Sequence, residues 1–404
     1  MSSSLDRIHT QILWDRLLAV VEEQAQTLVR TAFSTTVREA GDISAGVFDT
    51  GGRMLAQAVT GTPGHVNAMA ASVGFFLQKF PIETLHPEDV LLTNDPWYGT
   101  GHLNDFTVIT PVFRHGRPVA LFAATSHIAD VGGLGFGPDG RQVFEEGLNI
   151  PMGYLFRAGR PNEVLLEILR ANVRDPMSAE GDLHSLAACN RAGVNSLLET
   201  MDEFGMDDLD HAGRTIIENS RRAMLDEIRK LPFGRWSNTM RIDGYDEPVD
   251  LVCSLSIGED GIDVDFSGTS PVCSHGINVP LTYTQAYASF GVRCVVGNDV
   301  PNNAGSLAVV RVGAPEGCIL NAPRPAAVSA RHAIGQMLPD VVLGCLEEPL
   351  DGQVPAEGAS CLFGPVFLGG RGLIPGSESE PFVINAFYTG GTGGRPGKDG
   401  LDCT

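Results

Sequence analysis

The sequence predicts a mixed α+β fold made of two regions, and three observations predict it. At 404 residues the chain exceeds what one hydrophobic core usually organises. Apolar side chains recur at helical spacing in some segments and as short runs bounded by turn residues in others. After Pro232 the pattern changes from helical periodicity to strand-like alternation.

The elements follow in order. Residues 5–33 read as one long amphipathic helix, with Ile8, Ile12, Leu17, Val21 and Leu28 near helical spacing and Ser4 as N-cap. "AGVFDTGGRMLAQ" (45–57) reads as a hairpin turning at Asp49-Thr50-Gly51-Gly52. Residues 65–80 return to helical spacing and stop at Pro81. From "DVLLTNDP" (89–96) to "TSHIADVGG" the pattern is strand, loop, strand, turn, strand. Helical segments follow at 161–172 and 179–230. Beyond Pro232, strands alternate around turns at Asp243-Gly244 and Asp260-Gly261, and "AYASFGVRCVVG" and "HAIGQMLPDVVLGCLEEPL" are helical again. We place the boundary so that residues 1–234 form one α+β region and 235–404 a mixed β/α region. The glycine-rich ending "GGTGGRPGKDGLDCT" gives the second region a C-terminally truncated look.

Composition excludes several function classes. A net charge of −21 repels phosphate, which argues against a nucleic-acid or anionic-membrane surface. There is no basic segment followed by an apolar one at the start and no membrane-length apolar run, so a cytoplasmic protein is expected. The eight cysteines are scattered without a Cys-x-x-Cys, and they read as buried thiols in a reducing compartment, Cys294 in "FGVRCVVG" among them.

The densest chemistry lies in "GTGHLNDFTVITPVFRHGRPVALFAATSHIADVGG", which holds His-x-x-Asp twice: His102 with Asp105, and His127 with Asp130. Two apolar runs, 106–113 and 118–125, flank Arg114-His115-Gly116-Arg117. With the turn on or beside Gly116, paired residue numbers sum to about 231 or 232, and Asp105 falls opposite Ser126 or His127. His102 sits in a loop opened by Gly99-Thr100-Gly101, which can fold back over the strand end. Two neutral imidazoles and one carboxylate are a ligand set for Mn, Fe or Zn that leaves positions open for water or substrate. Asp130 then serves as an acceptor for an imidazole N–H, or as a base.

Other motifs fail on inspection. "GFGPDG" (135–140) has the Gly-x-Gly-x-x-Gly spacing but follows a loop and lacks an acidic partner downstream. "GRPGKDG" (394–400) lacks both the leading glycine and the Ser or Thr of a phosphate loop. Any ATP must therefore be bound by another chain. Arg324, Arg331 and His332 in "NAPRPAAVSARHAIG" can hold an anionic group, although surface or interface structure is the plainer reading.

Seven ordered motifs resemble the hydantoinase B/oxoprolinase family: "NDPWYGTGHLNDFTVITPVF", "SHIADVGG", "EEGLNIP", "GDLHSLAACNRAG", "VDFSGTS", "NAPRPAAVSAR" and "GGTGGRPGKDG". The resemblance spans essentially the whole chain. It implies a metal site on His102, Asp105 and His127, and a partner, the hydantoinase A-type ATP-binding subunit. Ser126 stands where relatives often carry a further histidine. The family implies an ATP-dependent cyclic amide hydrolase of the hydantoin or 5-oxoproline type, active in a hetero-oligomer. There the partner activates the amide oxygen and this chain completes hydrolysis, with Asp130 or Glu146 as general base and His65 near the same pocket. A ketone carboxylase subunit and a non-catalytic partner-binding subunit are the alternatives.

Overall fold

The computed structural model describes residues 4–59, 62–359, 363–373, 378–388 and 390–402; the side chains of 4–9, 363–366 and 387 lie outside the description. Cys361, Cys403 and the capping side chain expected at Ser4 therefore fall outside the described residues. Among these residues the chain is a mixed α/β structure with three sheets.

The first sheet has seven strands: β1 (Ile43–Phe48), β2 (Met54–Gln57), β3 (Val90–Thr93), β4 (Asp105–Arg114), β5 (Arg117–His127), β6 (Gly153–Arg157) and β7 (Arg160–Pro161). Their order is β2-β1-β5-β4-β3-β6-β7, every neighbouring pair antiparallel. The central strands β4 and β5 are apolar on both faces because both faces are covered. Side-chain alternation sends Phe106, Val108, Phe122 and Ala124 into one core beneath the Ser4–Thr31 and Pro176–Glu203 helices. Gly193 permits that close approach, since a Cβ there would stand 2.6 Å from the Phe122 ring. The opposite alternation sends Ile109, Leu121 and Ala123 into a second core with Met69, Val73 and Phe76 of the Pro63–Lys79 helix.

The helical stretch expected as one unit over 179–230 is two helices, Pro176–Glu203 and Asp210–Ile228, broken where Gly205 takes a φ of 61°. A separate core gathers Met224, Leu225 and Ile228 with side chains of residues 249–346. It lies under a four-stranded sheet of β8 (Gly234–Ile242), β9 (Val249–Gly258), β10 (Gly261–Asp265) and β11 (Val310–Gly313), ordered β11-β10-β9-β8. The Leu281–Val295 and Leu338–Leu346 helices pack there. Strands β12 (Phe363–Arg371) and β13 (Pro381–Tyr388) form a separate hairpin. Cys189, Cys253, Cys318 and Cys345 are buried, but Cys294 is exposed, because it lies on the outer side of the last turn of its helix. Among the described residues no helix is long and apolar enough to cross a membrane.

Candidate metal centre

A turn and a bulge set the register on which the centre depends. His115 and Gly116 both adopt positive φ (51° and 75°), the two-residue turn whose twist matches the flanking strands. Arg114 pairs with Arg117 and Phe113 with Pro118, but Val112 pairs with Ala120, so Val119 is an extra residue on β5. Beyond this bulge the pairing continues in the shifted register to Asp105 opposite His127. Without the bulge Ser126 would face Asp105, and His127 would point to the other side of the sheet.

Alternation then places Asp105 and His127 on the face covered by the Pro63–Lys79 helix, whose first turn carries His65. His102 arrives from the loop after β3. Gly101, with a φ of 98°, brings that loop so close to Arg331 that a Cβ would stand 2.7 Å from its Cδ. His65, His102, Asp105 and His127 are each at most 2% exposed.

The two oxygens of Asp105 have separate partners. Oδ1 lies 2.7 Å from His102 Nε2 and 3.2 Å from His127 Nδ1. Oδ2 accepts from the Thr100 hydroxyl, lies 2.9 Å from His65 Nε2 and 2.6 Å from Arg331 Nη2. Arg331 also donates Nε–H to the Thr100 carbonyl at 2.7 Å and lies over the Tyr283 ring at 4.1 Å. Asp42 borders the group, 3.5 Å from His65 Nε2 and hydrogen-bonded to the Thr62 hydroxyl.

This donor set fits a divalent cation on the His102–Asp105–His127 side. The ligand atoms of these three residues lie within 4.8 Å of one another. His102 Nδ1 is 3.1 Å from the Ser329 carbonyl, which can only accept, so Nδ1 carries the proton. Its Nε2 is then a buried lone pair without a hydrogen-bond partner, facing a carboxylate oxygen. Two acceptors 2.7 Å apart call for a cation between them. Burial, joined by the Arg331 charge, pushes the His102 pKa down to about 4, which keeps the ring neutral and ligand-competent near pH 7. Burial alone would raise Asp105, but His102, His65 and Arg331 outweigh it and hold the carboxyl well below the usual range. Burial also opposes charge on His65, but Asp105 and Asp42 overcome it and raise its pKa. A second triad, Asp42, His65 and Asp105, has comparable spacing. The guanidinium on Asp105 Oδ2 already occupies that side.

The other expected residues lie in different positions. Glu146 is buried, and its Oε1 accepts from the Val328 and Ser329 amides at 2.7 Å each. The Ser329 peptide thus links Glu146 to His102. Glu146 Oε2 has no hydrogen-bond partner, and burial pushes the carboxyl up to about 7 against the pull of the two amides. Asp130, expected as an imidazole acceptor or a base, is bound elsewhere. Its Oδ1 accepts from Gly132 N–H and from Arg174 Nη1 at 2.6 Å, and its Oδ2 from the Arg174 amide. Both oxygens are thereby engaged, and the Asn385 amide N–H donates instead to His127 Nε2 at 3.2 Å. His127 therefore meets Asp105 Oδ1 with Nδ1–H, and would release that proton to hold a metal through Nδ1.

Sequence reasoning left Arg331 as an anion holder of unknown target; its target is Asp105. Arg324 pairs with Asp95 and lies over Trp97. Thr100 lay inside a quoted motif but was read only as part of the loop before His102, and Asp42 and Asn385 carried no motif that could have revealed them. Phe136, inside the rejected "GFGPDG" run, lies 5.6 Å from His102 and 5.2 Å from His127, ring centre to ring centre.

Comparison with known proteins places this arrangement. The model of the Hydantoinase B/oxoprolinase family matches residues 6–404. The chain belongs to that family. It is 28% identical over 419 residues to a Pseudomonas protein named as the B component of a D-/L-hydantoinase, covering 98% of this chain and 69% of that one. It spans a smaller share of longer relatives, 36% of the 5-oxoprolinase 1 of Arabidopsis thaliana at 27% identity and 98% of this chain. Two solved structures share the fold, each with a TM-score of 0.88. Nucleotide-free acetone carboxylase is 19% identical over 98% of this chain and 55% of its own. The ATP-dependent caprolactamase of Pseudomonas jessenii is 24% identical over 99% and 70%.

Proposed function

We propose that this chain is the metal-bearing, ring-opening component of an ATP-dependent cyclic amide hydrolase, acting with an ATP-binding A-type subunit. The observation that carries this reading is the buried His102–Asp105–His127 cluster, in which the His102 tautomer is fixed and its lone pair confronts a carboxylate. His102, Asp105 and His127 would hold Mn, Zn or Fe. A bound ion of this kind polarises an amide-derived carbon–oxygen bond or brings a water towards ionisation at neutral pH.

The residues around it have separable tasks. Ser329 and Glu146 orient His102 through the peptide between them. Thr100, His65 and Arg331 hold Asp105 Oδ2, which leaves Oδ1 directed at the imidazoles. With Asp130 bound to Arg174, Glu146 is the better candidate for the general base. Its Oε2 is unpartnered, and a carboxyl near 7 both takes and returns a proton close to neutral pH. The sequence offers no recognisable phosphate loop, which fits an ATP site on the partner.

The test is reconstitution with the A-type subunit and ATP, assaying ring opening of hydantoins, 5-oxoproline and unsubstituted lactams, with acetone plus bicarbonate as a further arm. ATP-dependent ring opening that disappears in His102→Ala supports the proposal. Carboxylation of acetone without ring opening, or turnover indifferent to His102, overturns it.

A further inference from the structure

A catalytic ion needs an open coordination position, yet His102, Asp105 and His127 are each no more than 1% exposed. Something beside them must give way to substrate. Phe136 is half-buried and contacts both imidazoles, nearly perpendicular to each (71° and 82°), while stacking on His332 at 5.0 Å and 24°. On its outer side lies a cavity of about 320 Å³, lined by Phe136, Pro138, Tyr245, Ile277, Ala330 and His332 among others. That volume is at the small end of ligand pockets. Among the described residues no Lys, Arg, Asp or Glu side chain lines it.

We propose that this cavity is the substrate subsite, that Phe136 is its floor and the door to the metal ligands, and that it takes a small uncharged ring rather than a carboxylated one. The inference rests on the ring-opening reading above and narrows it. A flat amide ring gains aromatic contact with Phe136 and Tyr245, each of which already stacks one face on a histidine, His332 and His275 respectively. A ring carboxylate would lose water with no cation to replace it. Arg331 is already committed to Asp105 and the Thr100 carbonyl. Arg141, further out, donates to Ser274 and lies 3.1 Å from His275 Nδ1. A second cavity is bordered by Asp130, Asp175 and Asp182. It would also disfavour an anionic substrate, but Phe136 is the ring seen against both imidazoles, so entry is assigned to its side.

The matched probes are 2-pyrrolidinone and 5-oxoproline, which differ by one carboxylate. Binding of each to the full metal-free chain is measured by ligand-observed NMR, for the native protein and for Phe136→Ala, Phe136→Leu and Tyr245→Ala. The native chain should bind 2-pyrrolidinone at least tenfold more tightly than 5-oxoproline. Phe136→Ala and Tyr245→Ala should weaken 2-pyrrolidinone binding about tenfold, and Phe136→Leu less. A second readout loads the chain with Mn²⁺ and follows water-proton relaxation, which should rise in Phe136→Ala at unchanged Mn²⁺ stoichiometry. Equal or tighter binding of 5-oxoproline, or pyrrolidinone binding indifferent to both cavity variants, overturns the proposal. Failure of the chain to take up Mn²⁺ overturns the metal reading instead, and the metal-free binding series still decides the cavity.

Discussion

Replacing Arg331 by methionine tests how the carboxylate at the centre is held. The substitution keeps most of the side-chain volume and removes the guanidinium from a pair that is 4% and 0% exposed. Three contacts go: Nη2 to Asp105 Oδ2 at 2.6 Å, Nε to the Thr100 carbonyl at 2.7 Å, and the charge over Tyr283 at 4.1 Å. Removing one member of a buried ion pair costs about 3–5 kcal/mol, because the other charge is left uncompensated. Asp105 retains Thr100 and His65 on the same oxygen. The expected loss is therefore at the lower end, about 3 kcal/mol. Urea unfolding reads it as a lower midpoint at unchanged slope. Arg331→Lys keeps the charge but loses the two-pronged geometry, and should recover only part of the loss. A methionine variant within about 1 kcal/mol of the native protein would refute the claim that Arg331 holds Asp105.

Three further outcomes are expected. Glu146, raised to about 7 in the fold, binds its proton more tightly there than in the unfolded chain. Stability should therefore fall as pH rises from about 4.5 to 7, by at most about 1.4 kcal/mol per unit, and Glu146→Gln should flatten that slope in urea titrations at several pH values. Inserting one alanine between Thr125 and Ser126 moves Ser126 opposite Asp105 and sends His127 to the other face; the lengthened chain should lose metal binding even where circular dichroism shows a folded protein. Ser329 contributes only its peptide to His102, so Ser329→Ala should leave metal affinity within about threefold of native, whereas Glu146→Ala should lower it about 10–100-fold, measured by competition with a chelator.

The sequence made part of this legible. The hairpin and its approximate register followed from the apolar runs and the Gly116 turn; strand pairing brings Asp105 and His127 together, and the glycine-opened loop before β4 adds His102. The last step in the register did not follow, because the Val119 bulge leaves no mark in an apolar run where any residue can be the extra one. The Oδ2 side of Asp105 was also hidden. Arg331 lies more than two hundred residues along the chain, and only tertiary packing of the 321–335 loop against Gly101 brings it in. The local repeat of His-x-x-Asp also says nothing about Arg174, which pairs with the Asp130 carboxylate. In the "GFGPDG" run Gly140 lies where a Cβ would stand 3.1 Å from the Glu146 side chain, and the preceding Gly133 lies against the Glu145–Gly147 backbone, where a Cβ would stand 2.5 Å from Glu146.

The most direct test is to load the purified chain with Mn²⁺, determine stoichiometry after dialysis, and count nitrogen ligands by pulsed electron paramagnetic resonance. One ion per chain with two imidazole nitrogens, lost in His102→Ala and in His127→Ala, is the predicted result. No retained ion, or a retained ion whose spectrum is unchanged by either substitution, would contradict the account.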